Sequence, residues 1–135
     1  REAALQVLYQ WEIGRTDVTS AAETFFGHQW ADPEPPSEEF RTFAIELAHD
    51  TVRRLAEADA LIADTAERWR PERMAVLDRL ILRMAVTELL RRSPAPAAVV
   101  INEALELART FSTEDAVRFI NGMLDAIRRK LDAGT

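Results

Sequence analysis

Apolar residues recur every three or four positions along most of this chain, and prolines and glycines interrupt the pattern at short intervals. That spacing gathers apolar side chains on one face of an α-helix, whereas a half-buried strand needs strict alternation. The widest apolar face falls in residues 73–92, which indicates a central helix. The sequence therefore predicts an all-α bundle of about seven helices. The predicted helices span about 2–13, 20–30, 37–55, 59–69, 73–92, 97–109 and 112–131.

Capping and helix-breaking residues set these predicted boundaries. Gly14 favours the end of the first helix, and Ser20 opens a capping box that predicts the start of the second. Ser37 predicts the start of the third helix, and Asp59 that of a short fourth helix. The third helix is expected to bury one continuous face, which consists of Phe40, Phe43, Ala44, Leu47, Thr51 and Leu55.

The composition excludes several kinds of protein. Cysteine is absent, which excludes disulfides and thiolate metal sites. No apolar run approaches the roughly 20 residues of a membrane-spanning helix, so we expect no membrane partner and a cytoplasmic location. The net charge of −6 argues against coating a nucleic acid by bulk charge. However, arginines outnumber acidic residues seven to three in 68–92, so the acidic average hides a basic face.

The sequence contains no recognisable catalytic motif. It has no glycine-rich phosphate loop, no G-x-S-x-G elbow and no H-E-x-x-H pair. Glu46, His49 and Asp50 fall within one helical turn, but such a group on an exposed helix face is usually ordinary surface. We therefore expect no metal site and no cofactor, and the sequence predicts a binding module rather than an enzyme.

The seventh predicted helix presents two faces. Its apolar stripe steps by three and four residues through Val117, Ile120, Leu124, Ile127 and Leu131. Phe119 lies about 100° away from that stripe and shares a second face with Asp115 and Gly122. An exposed aromatic ring beside a bare glycine suits base stacking by single-stranded nucleic acid. The alternative is that Phe119 widens the core and Gly122 admits a neighbouring helix, and helical geometry alone does not separate the two.

The fifth predicted helix carries two arginines away from its core line. Arg79 and Arg83 are spaced i,i+4 and so lie one turn apart on one side of the helix. Two arginines in this arrangement are able to clamp phosphates. Pairing with Asp78 or Glu88 on the helix surface is an equally simple interpretation.

The chain contains, in this order, the stretches REAALQVLYQWE, LDRLILRMAVTELL and AAVVINEALELARTFSTEDAVRFINGMLD. In order and spacing, these stretches resemble the NusB family of bacterial transcription antitermination factors. The resemblance covers nearly the whole chain and is weakest through residues 15–60. Its specific part, residues 78–125, contains D-R-x-I-L-R, T-E-L, I-N-E-A-x-E-L-A and F-x-N-G-x-L-D in that order.

The resemblance implies a fold of two small helical subdomains, about residues 1–57 and 58–135, that share a core. Proteins of this family bind the single-stranded boxA RNA element of leader transcripts together with NusE, which is also a small-subunit ribosomal protein. The pair helps to assemble the complex in which RNA polymerase reads through terminators of ribosomal RNA operons. The resemblance implies neither catalytic activity nor a cofactor.

The resemblance also implies which residues contact RNA. Phe119 falls where the family places an aromatic ring against RNA bases, and Asp115 falls at a nearby position implicated in RNA binding. Arg1 matches the end of an arginine-rich N-terminal arm that contacts RNA. The family usually has several arginines before this position. If they were absent from the protein, RNA affinity would be lower and less dependent on salt.

A second group of residues corresponds to the partner-binding side of the family. Tyr9 and Asp78 match positions near the NusE surface. Arg79 and Arg83 lie on the same predicted helix as Asp78, and we predict that these two arginines contact RNA.

Three other possibilities are compatible with the same residues. The chain resembles the NusB-like RNA-binding domain that precedes the catalytic domain in ribosomal RNA cytosine methyltransferases. Its acidic first half would also suit a helical adaptor that acts through protein contacts only. The third possibility is self-association as a homodimer. The aromatic residues Phe25, Phe26 and Trp30 form either an apolar contact surface for it or, as we favour, part of the core.

Overall fold

Regular structure in this chain is helical throughout the residues that the computed structural model describes, 1–66, 69–92 and 94–134. The predicted all-α class is therefore confirmed. The helices are α1 (Glu2–Gly14), α2 (Val18–Thr24), α3 (Glu38–Arg53), α4 (Leu55–Thr65), α5 (Val76–Leu90), α6 (Ala97–Phe111) and α7 (Glu114–Ala133). A π-helical turn, Phe25–Gln29, follows α2, and a 3-10 turn, Pro71–Arg73, precedes α5. The chain divides into two compact units, Arg1–Arg53 and Arg54–Thr135.

The N-terminal unit is built where α1, α2 and α3 contact one another. Alanines at these contacts allow the helix backbones to approach closely, and leucines fill the space between them. The buried side chains are Ala3, Ala4, Leu5, Val7, Leu8, Ala21, Ala22, Phe25, Ala44, Leu47, Ala48 and Thr51. The buried hydroxyl of Thr51 donates to the carbonyl of Leu47 at 2.8 Å, so this polar group is satisfied inside the core.

Two helix caps in the N-terminal unit differ from those predicted, although α1 ends at Gly14 as expected. Arg15, not Gly14, adopts the left-handed conformation that ends α1, with φ of 50°. The capping box predicted at Ser20 is wrong, because Asp17 caps α2 instead and accepts the backbone N–H of Ser20 at 2.8 Å. The backbone N–H and then the hydroxyl of Ser20 lower the pKa of the Asp17 carboxyl from its ordinary value of 3.8.

The third helix buries only part of its predicted face. Ala44, Leu47 and Thr51 are buried, but Phe40 and Phe43 are 44% and 37% exposed. The prediction that these two rings belong to the core is therefore wrong. Within this unit α3 contacts α1 and α2, and these contacts leave the two rings partly exposed.

The C-terminal unit is organised around α5, which contacts α4, α6 and α7. Every residue from 80 to 88 is buried, so the prediction of a central helix is confirmed. The apolar residues that surround this segment are Ala58, Ile62, Val100, Ala104, Leu105, Leu107, Ala108, Ile120, Met123, Leu124 and Ile127.

The fourth helix begins earlier than predicted. It starts at Leu55, so Asp59 lies inside it and is not its N-terminal cap. Lys130 of α7 lies at the opposite end of α4. Its ammonium donates at 3.1 Å to the Asp64 carbonyl, the Asp64 carboxylate and the Thr65 hydroxyl. The Lys130 side chain therefore binds the carbonyl end of α4, where a positive charge also interacts favourably with the helix dipole.

Candidate nucleic-acid interface

The seventh helix begins where Thr113 accepts the backbone N–H of Ala116 at 3.1 Å. Ile120, Leu124 and Ile127 are completely buried, which confirms the centre of the predicted stripe, whereas Val117 and Leu131 at its two ends are half-buried. The other face of the helix holds the residues that the sequence singled out.

Phe119 lies on that second face and is 40% exposed. The alternative in which its ring widens the core is therefore wrong. A Cβ atom added to Gly122 would meet no atom within 4 Å in the described parts of the chain. The alternative in which Gly122 admits a neighbouring helix is also wrong. The resulting surface is an aromatic ring with open backbone one turn away.

Asp115 lies one turn before Phe119 and is exposed. Its carboxylate pairs with the guanidinium of Arg118, and both side chains are largely exposed. Arg118 did not enter the sequence prediction, although its i,i+3 spacing from Asp115 places it on the same face. This face therefore combines an aromatic ring, an exposed arginine and an open glycine, and we name it the α7 face (Asp115, Arg118, Phe119 and Gly122).

Arg1 lies in the N-terminal unit, next to the first turn of α1. Its guanidinium carbon is 5.3 Å from the centroid of the Phe43 ring, within the range of a cation–π contact. The side chain is half-buried. Its predicted contact with RNA stays a prediction.

The two arginines of α5 do not form a clamp. The Nε and Nη2 atoms of Arg83 donate to the two carboxylate oxygens of Asp59 at 2.8 and 2.9 Å, and the side chain is only 9% exposed. Arg79 donates to the carbonyls of Pro71 and Met74 at 3.4 and 3.3 Å. Arg79 thus holds the segment that precedes α5, and Arg83 joins α5 to α4. This geometry favours a structural role over phosphate contact. Arg83 pairs with neither of the acidic residues proposed from the sequence.

An apolar patch lies on α1 around Tyr9, which is 39% exposed. Ile13 follows one turn later and is 55% exposed, so the two side chains share a face. The sequence analysis missed Ile13, although its i,i+4 spacing from Tyr9 was visible. Exposed apolar neighbours of this kind favour a protein contact.

Asp78 occupies the first turn of α5 and is half-buried. Its Oδ1 atom is buried and has no hydrogen-bond partner among the described residues. A buried carboxylate oxygen without a donor is unfavourable.

The aromatic residues proposed for self-association have mixed environments. Phe25 is buried, as we favoured, whereas Phe26 and Trp30 are half-buried. Their rings contact one another, with Phe25 and Phe26 4.9 Å apart and Phe26 and Trp30 5.8 Å apart between centroids. This cluster therefore stabilises the N-terminal unit and leaves only part of its surface accessible.

In residues 1–66, 69–92 and 94–134, no group of three or more histidine or acidic side chains is arranged to hold a metal ion. The acidic side chains around His49 are no exception. Within the same residues, no helix combines the length and apolar character needed to cross a membrane.

Comparison with known proteins places these surfaces in context. The model of the NusB family matches residues 1–129. The chain is 47% identical to the transcription antitermination protein NusB of Koribacter versatilis over 133 residues, which cover 98% of this chain and 88% of the relative. It is 45% identical to that of Solibacter usitatus over 131 residues, with 97% and 87% covered. These names describe antitermination proteins and not enzymes, in agreement with the sequence analysis.

Solved structures show the same fold. NusB of T. maritima is 30% identical to this chain, with a TM-score of 0.81 and coverage of 94% of this chain and 86% of that one. A chain from a complex of antitermination factors NusB and NusE with double-stranded RNA has a TM-score of 0.82 at 23% identity, with 95% and 92% covered.

Proposed function

Because this chain belongs to the NusB family, we propose that it is a transcription antitermination factor that binds RNA together with NusE. The RNA is the single-stranded boxA element of ribosomal RNA operon leaders. The bound pair supports assembly of the antitermination complex on RNA polymerase. The protein acts by binding, without a cofactor. The names of the relatives support an antitermination factor, and the solved complex of NusB and NusE with double-stranded RNA supports binding of RNA and NusE.

The observation that carries the proposal is the exposed ring of Phe119 on the α7 face. An aromatic ring provides a flat surface for a nucleobase, and one such contact contributes about 1–3 kcal/mol to binding. Gly122 leaves the backbone beside the ring uncovered, so a base or a sugar is able to approach closely. Arg118 supplies a positive charge for a phosphate on the same face. This combination does not contribute to the core of the unit.

NusE binding is proposed for two surfaces. Tyr9 and Ile13 on α1 offer exposed apolar area, which a protein partner would bury. Asp78 on α5 matches a position near the NusE surface of the family, and it is half-buried, so part of the residue stays accessible to a partner.

Arg1 adds an electrostatic contact in the N-terminal unit. Its guanidinium lies against Phe43, so an RNA phosphate is bound either alongside that contact or in place of it. Each neutralised phosphate steepens the salt dependence of binding. Replacement of Arg1 by Ala should therefore make the dependence of RNA affinity on salt concentration less steep.

The test is a titration of fluorescently labelled boxA RNA, with and without NusE, at two salt concentrations. Phe119→Ala should weaken binding by about 1–3 kcal/mol, or roughly five- to 150-fold. The matched control is Phe111→Ala, because Phe111 is also an exposed phenylalanine, at 37% against 40%, but lies outside the α7 face. Equal affinities of the folded Phe119→Ala variant and the unmodified protein would remove Phe119 from the RNA site. Absence of RNA binding even with NusE would reject the proposed function.

A further inference from the structure

The third helix has a second face that its own unit does not cover. Phe43 lies on this face and is 37% exposed, although the helix already buries Ala44, Leu47 and Thr51 against its neighbours. Large exposed aromatic side chains outside the core are typical of contact surfaces. A partner for this face is therefore expected.

The surroundings of Phe43 are acidic. The ring borders an open depression of about 610 Å³, whose lining residues are Ser37, Glu38, Glu39, Thr42, Phe43 and Glu46. The helical period places these residues on one side of α3. Glu38, Glu39 and Glu46 are exposed and form no ion pair with any residue that the structure describes. We name this surface the α3 groove.

The chain itself shows which chemical group the Phe43 ring accepts. The guanidinium carbon of Arg1 lies 5.3 Å from the centroid of that ring, a distance typical of a cation–π contact. The same kind of contact recurs nearby, where the guanidinium of Arg41 lies 5.5 Å from the centroid of Phe26. With Arg1 in place, more than a third of the Phe43 side chain stays accessible.

From this combination we propose that the α3 groove docks an arginine-rich segment of a partner protein. A guanidinium stacks on an aromatic face and donates two parallel hydrogen bonds to a carboxylate. One arginine is therefore able to contact both Phe43 and an adjacent glutamate. The three carboxylates, which form no ion pair among the described residues, attract a basic segment. The groove is thus distinct in chemistry from the α7 face, and the inference does not depend on the proposed RNA binding.

The experiment titrates the full chain, without RNA, with fluorescein-labelled nona-arginine and nona-lysine peptides. The arginine peptide should bind at least about threefold more tightly than the lysine peptide, because only the guanidinium combines stacking with bidentate pairing. Phe43→Leu should weaken arginine-peptide binding by about three- to tenfold and bring the two peptides close to equal affinity. The double variant Glu39→Gln and Glu46→Gln should weaken both peptides.

Matched variants separate the groove from general charge. Phe111→Leu removes a ring of the same 37% exposure elsewhere, and Glu103→Gln with Glu114→Gln removes two exposed carboxylates from other helices. These variants should bind the arginine peptide as the unmodified protein does, and circular dichroism verifies that every variant is folded.

Three results would overturn the proposal. The first is that the two peptides bind with equal affinity and that Phe43→Leu leaves these affinities unchanged. Bulk charge would then be sufficient to explain the binding. The second is an equal loss of binding in the control variants. The third is self-association, measured by light scattering, that Phe43→Leu abolishes, because the occupant would then be a second copy of this chain. None of these results bears on RNA binding by the α7 face.

Discussion

Arg83 and Asp59 form a two-pronged ion pair that joins α5 to α4, with donor–acceptor distances of 2.8 and 2.9 Å. The Arg83 guanidinium also lies 6.0 Å from the centroid of the Trp69 ring. The side chains are 9% and 28% exposed, so little water is available to replace either partner. The pair therefore links two helices and the segment between them.

Replacement of Arg83 by Ala should lower the free energy of unfolding by about 2–3 kcal/mol, because Asp59 would keep a partly buried charge without a partner. Partial exposure of Asp59 reduces the effect below that of a completely buried pair. Urea denaturation measures the change. The control is Arg118→Ala, which breaks an exposed pair and should change stability by less than about 0.5 kcal/mol. If the two variants were equally stable, the Arg83 pair would have no structural role.

Gly122→Ala should raise the free energy of unfolding by about 0.5–1 kcal/mol. Glycine is unfavourable inside a helix, and an added methyl group meets no atom of the described chain. The same methyl group should weaken RNA binding if a base or a sugar approaches this backbone. Thermal denaturation and RNA titration of one variant measure both effects. A stabilised variant with unchanged RNA affinity would show that Gly122 lies outside the interface.

Asp115→Asn should strengthen RNA binding at low salt by about two- to fivefold. The change removes a negative charge from the α7 face and releases Arg118 from its ion pair. RNA titration at low and high salt tests this, because screening should reduce the gain. Weaker binding by the variant would indicate instead that the carboxylate accepts a hydrogen bond from a base.

The cap of α2 should make stability depend on pH in the acid range. The N–H and hydroxyl of Ser20 lower the pKa of Asp17 in the folded chain, so the charged carboxylate stabilises the folded state above the ordinary pKa. This contribution is lost as pH falls through the lowered pKa. Asp17→Asn keeps a capping side chain without the charge.

Thermal denaturation between pH 6 and pH 2 should therefore show a difference between the unmodified protein and Asp17→Asn that disappears in acid. A difference that stayed constant across this range would exclude the Asp17 charge as its source.

The faces of α7 could be predicted from the sequence because its apolar stripe is narrow and regular. The same reasoning failed for Phe40 and Phe43 on α3. An apolar side chain shows which face of a helix avoids water, but it does not show whether a neighbouring helix of the same unit is long enough to cover it. The exposure of these rings depends on tertiary contacts.

Local signals also competed with one another. Asp17 and Ser20 are both good N-terminal caps, and the structure uses the first because its carboxylate reaches the Ser20 N–H. The partner of Arg83 was beyond prediction for a different reason. Asp59 lies 24 residues away, and no helical spacing connects the two positions.

The contact of Lys130 with the end of α4 has a consequence for the order of folding during synthesis. Lys130 binds Asp64, a residue 66 positions earlier in the chain. α4 has 11 residues, and isolated helices of this length are only marginally stable in water. During synthesis on the ribosome, the carbonyl end of α4 is therefore capped by Lys130 only after most of the C-terminal unit has been made. The N-terminal unit contains its own core and is able to form first.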